Sequence, residues 1–249
     1  MPNHYTGSGK IILVKLITAV STVADGNMSL KWGERADVEK NRKKFLERNG
    51  LTLGDCVFTS LVHGVDVAIV GERDREKIVE ADGLITGDKH VALWMMTGDC
   101  LPVVFYEPSK NILGLAHLGW RGVDKNLAQI MVKRLVELGC ESEKTKVWIG
   151  PGVRKETYWK YGEGIDSFKQ SVNIKRWESF LESKSKGELA LDLVGFVKQQ
   201  LVEEGVPIEN IEVSAIDTVK DRNYFSQYRS VRNNEPEGRF ATVVMMENQ

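Results

Sequence analysis

Two side chains with complementary chemistry, the Cys100 thiol and the His117 imidazole, stand in one stretch of the chain. Residues 94 to 122 read WMMTGDCLPVVFYEPSKNILGLAHLGWRG: an apolar run into TGDCLP, a second run, a turn at PSKN, a third run, and then AHLGWRG. Two strands joined by so short a turn lie side by side, which can bring Cys100 and His117 together. A third candidate, His63, stands in LVHG, where a strand pattern between Asp55 and Gly71 is interrupted. A glycine at such a bend allows close approach or unusual dihedrals.

Zinc is well served by two imidazoles and one thiolate with a fourth position left for water, and His63, Cys100 and His117 supply that set. A metal there would lower the pKa of bound water or act as a Lewis acid. Asp99, beside Cys100, is expected to orient an imidazole or to bind substrate. The same residues permit a metal-free site with Cys100 as nucleophile and His63 or His117 as its base. They also permit a buried cysteine with two hydrogen-bonded structural histidines.

Arg121 precedes the first turn of a helix predicted over Val123 to Leu138. Free backbone amides and a guanidinium there would suit an anion such as phosphate. The alternative is an arginine stacked on Trp120 or paired with Asp124, itself a candidate helix N-cap.

These residues need a frame. Helices are predicted over Ala36 to Arg48, Val123 to Leu138, Lys175 to Ser183 and Leu189 to Glu204, and strands over 10 to 22, 56 to 71, 81 to 94, KVWIG, NIEVSAID and RFATVVMM. PGVRKETYWKYGEG reads as a loop over a pocket and KDRNYFSQYRSVRNNEPEG as a long polar loop. Asn41, inside the first helix, reads as a solvated or locally hydrogen-bonded residue, His90 as a loop residue, and Cys140 as a thiol without a chemical role. The pattern predicts an α+β or mixed α/β fold, with β-sheets and helices packed outside them, in a single domain over 1–249.

Lys and Arg number 34 against 35 Asp and Glu, so global charge suggests neither nucleic acid nor a membrane surface as a partner. The apolar run IILVKLITAV is too short to span a bilayer. Three widely spaced cysteines without a CxxC pair argue against a disulfide framework and suit a reducing, cytoplasmic setting.

With VHG, TGDCLP and AHLGWRG in this order, joined by VEKNRKKF, ADGLIT, IGPGVRK, YFSQYR and EGRFATVV, the chain resembles the laccase-domain (multicopper polyphenol oxidase-like) proteins. These are also called the peptidoglycan-editing-factor family and are associated with purine nucleoside phosphorylase activity. The resemblance implies a cysteine-hydrolase-like fold and zinc on His63, Cys100 and His117, with Asp99, Cys100 and His117 catalytic. It implies phosphorolysis of adenosine, inosine, guanosine and methylthioadenosine, with adenosine deamination in some members. The substrates would then be a purine nucleoside and phosphate, met by Arg121, Asn41, Tyr228 and Arg229, with Tyr224 and Phe225 available for stacking. Copper is less suited, since oxygen-reducing copper oxidases need roughly ten histidines and the chain has four.

The chain departs from the family at Val23, where an active-site arginine is expected, at Gly152 and at Gly98. A neutral Val23 cannot bind phosphate, and Arg229, Arg232 and Arg239 are the candidates to replace the missing cation. Two further readings stand beside the zinc enzyme: a Cys100-dependent hydrolase or amidase acting on cell-wall precursors, and a zinc-stabilised binding protein without turnover.

Overall fold

The central strands bury both faces, and that decides the layering. β7 (Leu101–Glu107) is buried at every position and β8 (Ile112–Leu118) at all but its first. Successive side chains leave a strand on opposite faces, so Val103 and Phe105 enter one apolar cluster while Val104 and Tyr106 enter another. Such strands must be covered on both sides. The structure, a computed structural model describing residues 16–184 and 187–246, supplies both covers.

One large sheet has the order β13 (Ile211–Val213), β9 (Lys146–Ile149), β7, β8, β5 (Gly83–Thr86), β3 (Val67–Ile69). The other runs β1 (Leu16–Val20), β14 (Phe240–Met246), β6 (Ala92–Thr97), β2 (Cys56–Ser60), β4 (Ile78–Glu80). Leu93, Met95 and Val244 of the second sheet meet Val104, Leu113 and Leu115 of the first. Trp94, one residue out of phase, faces the other way onto Phe45 and Leu46 of α1 (Arg35–Arg48). On the far side, α3 (Leu127–Glu137) and α6 (Leu193–Glu203) pack against Val103, Phe105 and Ala116. The layers therefore run helix, sheet, sheet, helix, which is the mixed α/β arrangement with outer helices that the sequence predicts. A small sheet, β10 (Trp159–Tyr161), β12 (Glu188–Leu191), β11 (Leu181–Lys184), stands apart from the two large ones.

Several boundaries differ from the sequence reading. The helix predicted over Val123 to Leu138 is two, α2 (Trp120–Asp124) and α3, because Asn126 adopts a left-handed φ of 66° between them. Asparagine tolerates that conformation better than most residues. Asp124 is consequently the last residue of α2 and not an N-cap; its carboxylate accepts the Trp177 indole N–H at 2.9 Å. The helix predicted over Lys175 to Ser183 is α5 (Ile174–Trp177) continued by a 3-10 turn over Glu178–Phe180, and it ends three residues early where β11 begins. Residues 188–191 pair as β12, and the Asp192 carboxylate accepts from the Gly195 amide at 2.7 Å to start α6. Two predicted loops contain structure: β10 and the first residues of α4 (Glu163–Ser171) in one, α7 (Gln227–Asn233) in the other. The part of the predicted opening strand before Leu16, and His4, lie outside the described residues.

The α3 helix reaches its sheet through glycines. A Cβ at Gly83 would stand 2.7 Å from the Met131 sulfur, and one at Gly114 would stand 2.9 Å from its methyl group. Truncating this fully buried thioether, Met131→Ala, leaves a void that the sheet backbone cannot fill. It should lower the unfolding free energy by about 3 kcal/mol in urea titration; a loss under about 1 kcal/mol would show that α3 settles onto the sheet.

Candidate active site

Strand pairing does what the spacing of Cys100 and His117 suggests. β7 and β8 are antiparallel, with Leu101 opposite Leu118 and Pro102 opposite His117, so Cys100 at the entrance to β7 meets the far end of β8. The Cys100 sulfur stands near enough to the His117 ring to raise its pKa. Gly119 is required here, since a Cβ would lie 2.7 Å from the Cys100 sulfur.

A residue that the sequence reading did not single out holds the cluster. Asp82, fully buried just before β5, accepts from His117 Nδ1 at 3.1 Å, the His63 amide at 3.0 Å and the Gly64 amide at 2.6 Å. It thus fixes the His117 ring and leaves Nε2 for the thiol. It also clamps the LVHG turn, where His63 sits at a left-handed φ of 58°. The His63 and His117 rings meet edge to face with centroids 5.1 Å apart. The one hint in the sequence was ADGLIT, an acidic residue immediately before an apolar strand.

Burial alone would lower the His117 pKa, but the Cys100 sulfur and the Asp82 carboxylate override it and hold it at about 9. Burial would raise that of Asp82, yet its three donors bring it below the usual carboxylate value. His63 is pushed down by burial and by the neighbouring His117, which favours a neutral imidazole.

Asp99 does not orient an imidazole. Its backbone turns at a φ of 92°, and its carboxylate accepts from the Thr218 hydroxyl at 2.7 Å and the Tyr228 amide at 2.6 Å. It therefore staples the start of β7 to α7, and although it lines the cavity both its oxygens are engaged. Burial nevertheless pushes its pKa up.

The cluster opens into a cavity of about 300 Å³. Opposite the histidines stand Trp120, Tyr158, Lys160 and Tyr228. Arg121 also lines it, its Cζ 4.1 Å from the Trp120 centroid, which is the stacked arrangement and not an ion pair with Asp124. Tyr228 presents its ring to the cavity, but its hydroxyl donates to the Trp159 carbonyl at 3.1 Å. Arg229 is not among the lining residues. Its guanidinium is buried against Glu235 at 3.0 Å and the carbonyls of Thr218 at 2.7 Å and Tyr224 at 2.8 Å, so it closes a loop and has no free donor edge for phosphate. Asn41 also lies outside the lining, donating to the Asn27 carbonyl at 3.1 Å, which is the local role. Tyr224 packs on Phe240 and Phe225 on Gly238, neither in the lining. Of the arginines considered as replacements at Val23, Arg232 reaches the rim, while Arg239 is spent on Gly238 and Gln227. Lys160 and Tyr158, from a segment read as a loop, were not singled out.

As the side chains stand, no three His, Cys, Asp or Glu groups among the described residues close around an ion. The donors suit zinc nonetheless. One thiol and one imidazole are already neighbours, and the second imidazole packs edge to face on the first, with a pKa lowered by burial and by His117 that favours its neutral form.

The linkage has a definite sign. A His117 pKa raised to about 9 stabilises the metal-free fold fully below the unfolded value of about 6.5 and loses that contribution as pH rises through 9. Asp82→Asn removes the partner and should cost about 3 kcal/mol at pH 6.5. In thermal melts of chelator-treated protein, the gap between wild type and Asp82→Asn should narrow from pH 6.5 to pH 9.5; parallel curves would show that the pair is not what raises His117.

The family described as multi-copper polyphenol oxidoreductase laccase matches residues 18–247. Among similar proteins, purine nucleoside phosphorylase YlmD of Bacillus subtilis is 29% identical over 220 residues, covering 85% of this chain and 78% of that protein. Purine nucleoside phosphorylase YlmD of Geobacillus stearothermophilus is 32% identical over 217 residues, covering 83% and 78%. The crystal structure of the Geobacillus YlmD superposes with a TM-score of 0.81 at 29% identity, over 94% of this chain and 92% of that one. With the match running almost from end to end of the described residues, the chain belongs to the family of multi-copper polyphenol oxidoreductase laccases.

Proposed function

We propose that this protein is a zinc-dependent purine nucleoside phosphorylase, acting on adenosine, inosine, guanosine or methylthioadenosine. The observation that carries the proposal is one cavity holding the His63, Cys100 and His117 cluster beside Arg121, whose guanidinium rests on Trp120 without a carboxylate partner among the described residues. The name shared by the two YlmD relatives points the same way. His63, Cys100 and His117 would hold zinc, which when bound supplies a Lewis acid at the cavity floor.

In the chemistry itself, Arg121 binds phosphate and presents an oxygen to the anomeric carbon of the ribose. The new C1′–O bond forms as the C1′–N9 bond breaks, the electron pair leaves with the purine, and the proton given up by the hydrogen phosphate ends on the purine nitrogen. The transition state carries positive charge on the sugar, and the bound anion stabilises it. Trp120, Tyr158 and Tyr228 exclude water from this region and offer ring surfaces to the purine.

Adenosine deamination is the second activity open to the same cluster, but it needs a carrier to bring a proton to the leaving ammonia. Asp99 is the lone carboxylate among the described residues that line the cavity and its oxygens are committed to Thr218 and Tyr228, which favours phosphorolysis. Oxygen-reducing copper chemistry is disfavoured by the histidine count of four. The free thiols of Cys56, Cys100 and Cys140 suit a cytoplasmic setting, and no described helix is long and apolar enough to cross a membrane.

Incubation with inosine should release hypoxanthine only when phosphate is present. Cys100→Ala should lose zinc and drop kcat/KM by about a hundredfold or more, whereas Arg121→Gln should keep its zinc and raise the KM for phosphate about tenfold. A Cys100→Ala protein that retains both zinc and turnover would remove the cluster from the mechanism. A wild-type protein without zinc whose Cys100 is rapidly alkylated would favour the cysteine hydrolase reading.

A further inference from the structure

Lys160 is the cavity group that neither the cluster nor Arg121 accounts for. Its Nζ lies 5.0 Å from the Tyr158 ring centroid and 5.9 Å from that of Trp120. The Arg121 guanidinium carbon approaches the same Trp120 ring to 4.1 Å, so one indole carries two cations. Both line the cavity that contains Cys100. Among the described residues neither side chain forms a hydrogen bond or an ion pair. The contrast with Lys155, five positions earlier on the same segment, is plain: its ammonium pairs with Glu182 at 2.9 Å.

Two like charges held together repel, and removal from water raises the cost of each. Burial and the nearby Arg121 both push the Lys160 pKa down. The cavity itself offers no relief, because the Asp99 carboxylate is spent on Thr218 and the Tyr228 amide. Lys160 is also held in place: the Tyr228 hydroxyl donates to the carbonyl of Trp159, so α7 fixes the strand position next to it. An aligned guanidinium fork and a point-charge ammonium are the two complementary donors that a doubly charged tetrahedral oxyanion uses.

We propose that Lys160 and Arg121, which both approach the Trp120 ring, form a two-armed cradle for inorganic phosphate in the cavity that holds the His63, Cys100 and His117 cluster. The proposal rests on the phosphorylase reading and names the second residue that holds its co-substrate. The same chemistry would accept the phosphate of a nucleotide, so the test has an arm for each source.

Calorimetric titration of the full chain with inorganic phosphate, in the absence of nucleoside, reads the cradle without turnover. Lys160→Gln should weaken phosphate binding about tenfold, Lys160→Arg should stay within about threefold of wild type, and Lys155→Gln should leave it unchanged. Unaltered binding in Lys160→Gln would overturn the proposal, as would an equal loss in Lys155→Gln or a wild-type protein that binds no phosphate. Adenosine 5′-monophosphate binding more tightly than phosphate, with the same dependence on Lys160, would assign the cradle to nucleotides and overturn it as well. Phosphate binding that depends on Lys160 in a protein without phosphorolysis would keep the cradle and remove the phosphorylase reading. Phosphorolysis with unaltered binding in Lys160→Gln would do the reverse.

Discussion

A buried carboxylate with three donors underlies the site. Asp82 is out of solvent, and an ionised group there is tolerated only while its partners are in place. Those partners come from two distant segments: the amides of His63 and Gly64, and the ring of His117. The same carboxylate therefore sets the left-handed turn that carries one imidazole and the ring orientation of the other. Because Asp82 precedes β5, and β5 pairs with β8, the His63, Cys100 and His117 cluster is tied directly to the hydrogen-bond ladder of the larger sheet.

The layers explain why polar groups collect where they do. The strand interiors are apolar on both faces, so reactive side chains are admitted only at strand ends. The entrance to β7, the exit of β8 and the approach to β5 lie at one edge of the sheet, because β7 and β8 are antiparallel and Ala116 sits opposite Gly83. The remaining walls come from pieces outside the main sheets, namely α2, β10 and α7. Asp99 joins the last of these to the first strand of the hairpin by accepting from Tyr228 and Thr218.

Charge follows a similar division. The chain as a whole is nearly neutral, with a formal charge of −1, yet Arg121, Lys160 and Arg232 line the cavity against the single engaged carboxylate of Asp99. A local cationic surplus in a concave, half-open cavity focuses potential on a small anion while leaving the outer surface balanced.

What the sequence determined by itself was what depends on local pattern. Alternation along LPVVFYE and ILGLAHL, with a turn between, specified the hairpin that joins Cys100 to His117, and the amphipathic period after Ala36 specified α1 within a residue. His63 was visible as a histidine at a break in a strand. Other decisions required contacts between residues far apart in the chain, which no local period encodes. Asp82 and not Asp99 became the partner of His117, because the φ at Asp99 turns its carboxylate toward Thr218. Arg229 became a loop clamp through carbonyls of its own segment, and Asn41 a link to Asn27. Lys160 came inward because β10 pairs with β12, a strand that was read as the start of a helix. Residue types and spacing thus chose the reactive groups, while backbone torsion and long-range pairing decided which of them face one another.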